Sequence, residues 1–165
     1  MIEIYADCSF RHRGGRCTYA MFDTLTKVFY VQRDHHKIVT TDSATGELKA
    51  TLAALSHAEK LFNEGVEKDF IIYNDDITNI RILQENNMGL LTNRHEQFQN
   101  ISVWIMTRVN DLKKRGATVK FKFANRRSNL TMRYVDNIAF DHSKGRLRKA
   151  HVILEEFDYN DIVIL

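Results

Sequence analysis

The apolar periodicities predict an α/β domain: a mixed sheet of five strands with helices on both faces. Three observations carry that expectation. Strand-like segments crowd the first third of the chain, a long helical periodicity then leads into a compact apolar run, and no proline, internal repeat or low-complexity linker divides the 165 residues. A helix between two strands of one sheet makes them parallel, whereas tightly turned neighbours are antiparallel, so a chain using both connections builds a mixed sheet.

Taken in order, residues 2–8 form a short β-rich run, and the polar stretch Arg11-His12-Arg13-Gly14-Gly15-Arg16 reads as a loop. Residues 18–22 and 27–32 flank Asp23-Thr24-Leu25-Thr26, which predicts two further strands in a meander. From Glu47 onward Leu48, Leu52, Leu55 and Phe62 recur at helical steps, and the helix is expected to end near Gly65. Phe70-Ile71-Ile72-Tyr73 is then the kind of apolar run that a central strand, covered on both faces, requires. Ile77, Ile80 and Leu83 predict a short helix stopping around Asn86-Asn87, and Phe98, Ile101, Ile105, Val109 and Leu112 predict a long one punctuated by Gly116. Val119, Phe121 and Phe123 alternate with Lys120 and Lys122, as in a half-exposed strand, and a last helix spans residues 132–142. The order is β-β-β-α-β-α-α-β-α over residues 1–142. Residues 143–165 form a C-terminal extension, whose Ile162-Val163-Ile164-Leu165 is too apolar to dangle in water and is expected to pack on the same domain or dock a protein partner.

One domain of this length can bury a real core. No apolar run approaches the roughly 20 residues that span a bilayer, and Met1 leads directly into Ile2-Glu3-Ile4-Tyr5, so a soluble cytoplasmic protein with no membrane partner is expected. Cys8 and Cys17 are too few for a disulfide framework and lack zinc-ligand spacing. A net charge of +3 is too mild to establish a nucleic-acid partner by itself.

Chemistry enters with four acids, each at the edge of a predicted element: Asp7, Glu47, Asp75 and Asp136. A carboxylate at the end of an apolar strand, or on a helix that must pack, is costly to desolvate unless something positive meets it, and several together repel. Divalent metal resolves both problems. Oxygen-only ligation without His or Cys partners favours Mg2+ or Mn2+ over zinc, and two such ions roughly 3.5 to 4 Å apart are a device for phosphodiester hydrolysis.

These segments resemble the ribonuclease H family. Its first strand ends in an aspartate before a small residue and a glycine-containing loop, as in Tyr5-Ala6-Asp7-Cys8-Ser9 and Gly14-Gly15. Its glutamate opens the first long helix ahead of an alanine-rich stretch, as in Glu47-Leu48-Lys49-Ala50-Thr51-Leu52-Ala53-Ala54. The third acid ends the fourth strand, as in Ile72-Tyr73-Asn74-Asp75-Asp76, and the fourth sits early in the last helix before a hydrophobic-alanine pair, as in Asp136-Asn137-Ile138-Ala139. The resemblance implies a metal-dependent endonuclease cutting the RNA strand of an RNA/DNA hybrid with two Mg2+ or Mn2+ ions. Asp7 would bridge them, Glu47 and Asp75 would hold one, and Asp136 would help hold the other.

Departures from the family bear on substrate. A histidine ten residues before the last aspartate is replaced by Arg126, and Arg126 with Arg127 could grip phosphate as bidentate donors. Ser43 and Ala44 stand where a pair of amide side chains usually contacts RNA, and Asp76-Ile77 replaces Ser-Gln after the third acid. Asp76 is expected to cap the following helix. Lys113 and Lys114, late in the long helix, are candidates for duplex-backbone contact, and Trp104 is expected to lie partly buried beneath a loop. A noncatalytic ribonuclease H-like module that binds nucleic acid or protein is the alternative to a nuclease. A 3′ to 5′ exonuclease would carry a glutamate where Ser9 stands.

Overall fold

Antiparallel and parallel pairing meet on the first strand. The computed structural model describes residues 1–35, 37–86, 88–155 and 157–165. Strands β1 (Ile2–Arg11), β2 (Arg16–Asp23) and β3 (Val28–Arg33) form the antiparallel meander, while β4 (Asp69–Asn74) and β5 (Thr118–Phe123) add in parallel on the other side of β1. Helices α1 (Ser43–Asn63), α2 (Ile77–Glu85) and α3 (Glu96–Lys114) connect these strands, followed by α4 (Leu130–Ser143) and α5 (Leu147–Ile153). The sheet has six strands rather than the expected five, in the order β5-β4-β1-β2-β3-β6. The sixth, β6 (Asp161–Ile164), comes from the C-terminal extension and pairs in parallel with β3. A four-residue apolar run has too short a period to be told from a turn of helix, which is why the sequence left its form open.

Strand alternation divides the interior into two cores. Ile2, Ile4, Ala6 and Cys8 face α1, α2 and α3, meeting Leu48, Leu55, Ile80, Phe98 and Ile105. Tyr5 faces the other side, where Ala20, Phe22, Phe29 and Val31 meet Met132, Val135 and Ile138 of α4. The extension belongs to this second core. Ala150 and Leu154 are fully buried in it, and Phe157 packs on Phe22 and Phe29 at ring-centroid distances of 5.5 and 5.8 Å. By the same alternation Asp7 lies on the α4 side of β1.

Local chemistry sets the element ends. β1 runs on to Arg11, opposite Arg16, and the turn uses Gly14 and Gly15 at positive φ. A Cβ on Gly15 would stand 2.6 Å from the Thr40 carbonyl oxygen, so the turn needs glycine there for space as well as for conformation. Helix α1 begins four residues before the predicted start, because Asp42 accepts the Thr45 amide at 2.7 Å as an N-cap. Glu47 therefore sits in the second turn. Asp76 caps α2 by accepting the Asn79 amide at 3.0 Å, and α2 ends on Asn86 in the left-handed conformation; Asn87 lies outside the described residues. Among the described residues no helix is long and apolar enough to cross a membrane.

One buried carboxyl–imidazole contact fastens α1 to the β2–β3 turn. Asp23 is fully buried, accepts the Leu25 and Thr26 amides at 3.0 and 2.6 Å, and meets His57 Nε2 at 2.8 Å. Burial opposes its ionisation, but hydrogen bonds from His57 and Thr26 outweigh burial and hold its carboxyl below the usual range. His57→Ala should cost about 2 kcal/mol at neutral pH, since the carboxylate loses one partner and keeps its backbone donors. An aspartate with a lowered folded pKa contributes stability above its unfolded value, about 3.9, and loses it as pH falls through the folded value. Urea unfolding should therefore show the gap between wild type and His57→Ala at pH 7 and its narrowing below about pH 4. A gap that widened in acid would contradict this assignment.

Candidate metal centre

β4 stops at Asn74 while β1 continues beside β2 alone, and this difference in length opens a notch at the carboxyl end of the parallel strands. Asp7 lies on β1 just past its last pairing with β4, and Asp75 directly follows β4. Glu47 reaches the notch from α1. Carboxylate oxygens of Asp7, Glu47 and Asp75 lie within 4.8 Å of one another. Asp136, on α4 and thus on the same side of the sheet as Asp7, completes the group. Its near neighbour is Arg126, whose Nη1 donates to Asp136 Oδ1 at 3.0 Å while its Nε lies 3.7 Å from Asp75 Oδ2. The four predicted acids thus meet at one end of the central strands.

The electrostatics of this cluster are unfavourable without a cation. Asp7 is 1% exposed, and its Oδ2 has no hydrogen-bond partner among the described residues. Burial first, and then the charges of Glu47, Asp75 and Asp136, push its carboxyl well above the usual range. Glu47 and Asp75 are also raised, each mainly by burial; hydrogen bonding from Asn74 moderates the effect at Glu47, and Arg126 moderates it at Asp75. A buried carboxylate oxygen without a donor is what a hard cation would satisfy, and the donor set is oxygen only. These residues fit a divalent ion of the Mg2+ or Mn2+ type.

Asn74 was not foreseen from sequence. Its fully buried side chain donates to Glu47 Oε2 at 2.9 Å and to the Ala6 carbonyl at 3.0 Å, and it accepts the Asp76 amide at 2.8 Å. One amide therefore ties α1, β1 and the start of α2 together around the acids. The available signal was a polar residue closing an apolar strand directly before an acid. Gly46 is the second omission. It brings α1 against β1 and β2, since a Cβ there would stand 2.8 Å from Cys17 Sγ and 2.9 Å from Cys8 Sγ.

The other sequence candidates are scattered. Ser43 and Arg126 line an open cleft of about 440 Å3 together with Glu47, Asp75, Phe10 and His12. Arg127 is exposed on the same loop, its carbonyl accepting Arg133 Nη2 at 2.9 Å. Lys113 and Lys114 close α3 beside the start of β5, whose Thr118 amide donates to the Lys68 carbonyl. That is the far end of the parallel strands, on the order of 20 Å of strand from the acids. The structure does not bring these lysines to the cluster. Trp104 is 55% exposed rather than buried beneath a loop, with the Arg108 guanidinium 6.0 Å from its ring. It borders a larger cleft of about 700 Å3 between α1, α3 and the β2–β3 face, which contains none of the four acids.

No protein-family model and no curated protein sequence matches the chain. Solved structures do. The N-terminal RNase H domain of rv2228c from Mycobacterium tuberculosis aligns with a TM-score of 0.60 at 16% identity, over 92% of this chain and 96% of that one. RNase H1 from the halophilic archaeon Halobacterium salinarum aligns at 0.60 and 16%, over 86% and 98%. LC11-RNase H1 in complex with an RNA/DNA hybrid aligns at 0.65 and 17%, over 87% and 99%. With a mixed sheet, helices on both faces and these matches over most of each chain, the protein has the ribonuclease H-like fold.

Proposed function

We propose that the chain is a metal-dependent endonuclease that hydrolyses phosphodiester bonds, acting on the RNA strand of an RNA/DNA hybrid with two divalent ions, Mg2+ or Mn2+. The observation that carries this reading is the buried Asp7 oxygen that has no hydrogen-bond partner among the described residues, close to Glu47 and Asp75. Bound ions would supply Lewis acidity, activating a water and neutralising charge on the departing oxygen. The protein's own part is placement. Asp7, fixed within β1, would serve both ions; Glu47, oriented by Asn74, and Asp75, at the end of β4, would complete one site; Asp136 would serve the other. Groups on strand ends and helices hold such geometry better than loop residues do. The choice of hybrid draws on the resemblance and on a structural neighbour that was solved with one.

The departures at Ser43, Ala44, Asp76 and Ile77 favour a second reading, a noncatalytic module that keeps the fold and binds nucleic acid. Binding and cleavage measured together on hybrid, RNA duplex, DNA duplex and single strands, with Mg2+ or Mn2+, separate the two. The proposed enzyme cuts the RNA of the hybrid and leaves DNA duplex intact. Tight binding of hybrid without cleavage in either metal would instead favour the module.

A further inference from the structure

The four acids are not equivalent, because Arg126 holds Asp136 more closely than any other of them. Oxygens of Asp7, Glu47 and Asp75 lie within 4.8 Å of one another, and Asp136, close enough to Asp7 for its charge to raise that carboxyl, is the acid paired with Arg126. Arg126 reaches two of the four acids, 3.0 Å from Asp136 Oδ1 and 3.7 Å from Asp75 Oδ2. Its loop is fastened to α4: the Asn125 side chain accepts the Arg127 amide at 2.9 Å, Asn129 caps α4, and Arg133 Nη2 donates to the Arg127 carbonyl at 2.9 Å. A planar guanidinium presents donors in a fork that can serve two carboxylates, and it cannot leave by losing its proton.

We propose that Arg126 is a resident cation in the place of the second ion, so that the free protein takes one divalent ion at Asp7, Glu47 and Asp75, and Asp136 is closed to metal while Arg126 holds it. This rests on the metal-centre reading above and deepens it. Arg126 becomes a positioning residue that determines when the fourth acid is available. Clearing it requires movement of the side chain, and a nucleic-acid phosphate is a competing anion of the right chemistry for a guanidinium.

The test counts bound Mn2+ on the intact chain without nucleic acid, by calorimetric titration and by loss of the free-Mn2+ electron-spin-resonance signal. Wild type should bind one ion and Arg126→Ala two. Asp136→Asn should still bind one, with affinity within about threefold of wild type, because Asp136 is not a ligand while Arg126 holds it. Thermal unfolding of each variant confirms that it is folded before ions are counted. Two ions bound alike by wild type and Arg126→Ala would overturn the proposal, as would a single ion in both. Loss of the first ion in Asp136→Asn would also overturn it. No ion bound by any variant would instead remove the metal centre itself, so the two failures are distinguishable.

Discussion

Asp7→Asn is expected to lower cleavage of hybrid by at least about a thousandfold, which is about 4 kcal/mol of lost transition-state stabilisation, while making the metal-free chain more stable at neutral pH. The two effects have one cause. Asp7 is held where it can ligate a cation, and without one its charge is buried among Glu47, Asp75 and Asp136. A carboxyl whose folded pKa is raised contributes stability that is fully present below its unfolded value, about 3.9, and is lost as pH rises through the folded value. Asparagine carries no such charge at any pH. In chelator, the unfolding midpoints of Asp7→Asn and wild type should therefore converge near pH 4 and separate in favour of the mutant by pH 8. Adding Mg2+ should stabilise wild type much more than the mutant. A mutant that cuts at the wild-type rate, or one less stable than wild type at pH 8 in chelator, would contradict the role assigned to Asp7.

Gly46→Ala should damage both packing and activity from a position that carries no functional group. The new methyl would meet Cys17 Sγ at 2.8 Å and Cys8 Sγ at 2.9 Å, and both thiols are buried. Overpacking of this kind costs about 1–3 kcal/mol, against which alanine recovers at most about 1 kcal/mol of helix propensity. The clash should win, leaving a net loss of about 1–2 kcal/mol. Its relief is for α1 to lift from β1 and β2, and Glu47 is the next residue on that helix. Displacement of a positioned group by about 1 Å can cost on the order of a hundredfold in rate. Removing one thiol should restore part of both losses, so Gly46→Ala combined with Cys17→Ala is expected to exceed the sum of the single effects in stability and in rate. Wild-type stability and activity in Gly46→Ala alone would show that the close approach of α1 does not matter.

Much of this architecture was legible because its signals are local. Each of the four acids follows or interrupts an apolar pattern, and those patterns place Asp75 at a strand end and Glu47 and Asp136 on packed helices, whereas Asp7, expected to end a strand over residues 2–8, lies within β1 because pairing with β2 carries that strand on to Arg11. What the sequence did not show depends on contacts between distant segments. Asn74 reads as an ordinary polar strand terminus until α1 is brought beside it, 27 residues away in the chain. Lys113 and Lys114 form a plain basic run, but which end of the sheet receives them depends on the direction in which α3 returns to β5. β6 is an isolated apolar tail until β3 offers it an edge, and the α1 start was misread because Asp42 precedes the first apolar residue by several positions. Arg126 could be named from the family pattern it breaks, whereas its grip on Asp136 and Asp75 together required coordinates.

The proposed activity is hydrolysis of the RNA strand of a hybrid by this cluster with divalent metal. Its most direct measurement is single-turnover cleavage of a hybrid labelled on its RNA strand, titrated with Mg2+ or Mn2+ from a chelated start. Cleavage should be absent in chelator, rise with metal, and yield fragments ending in a 3′-hydroxyl and beginning with a 5′-phosphate. Products that form equally well in chelator, or no cleavage at saturating metal while the hybrid is demonstrably bound, would contradict it.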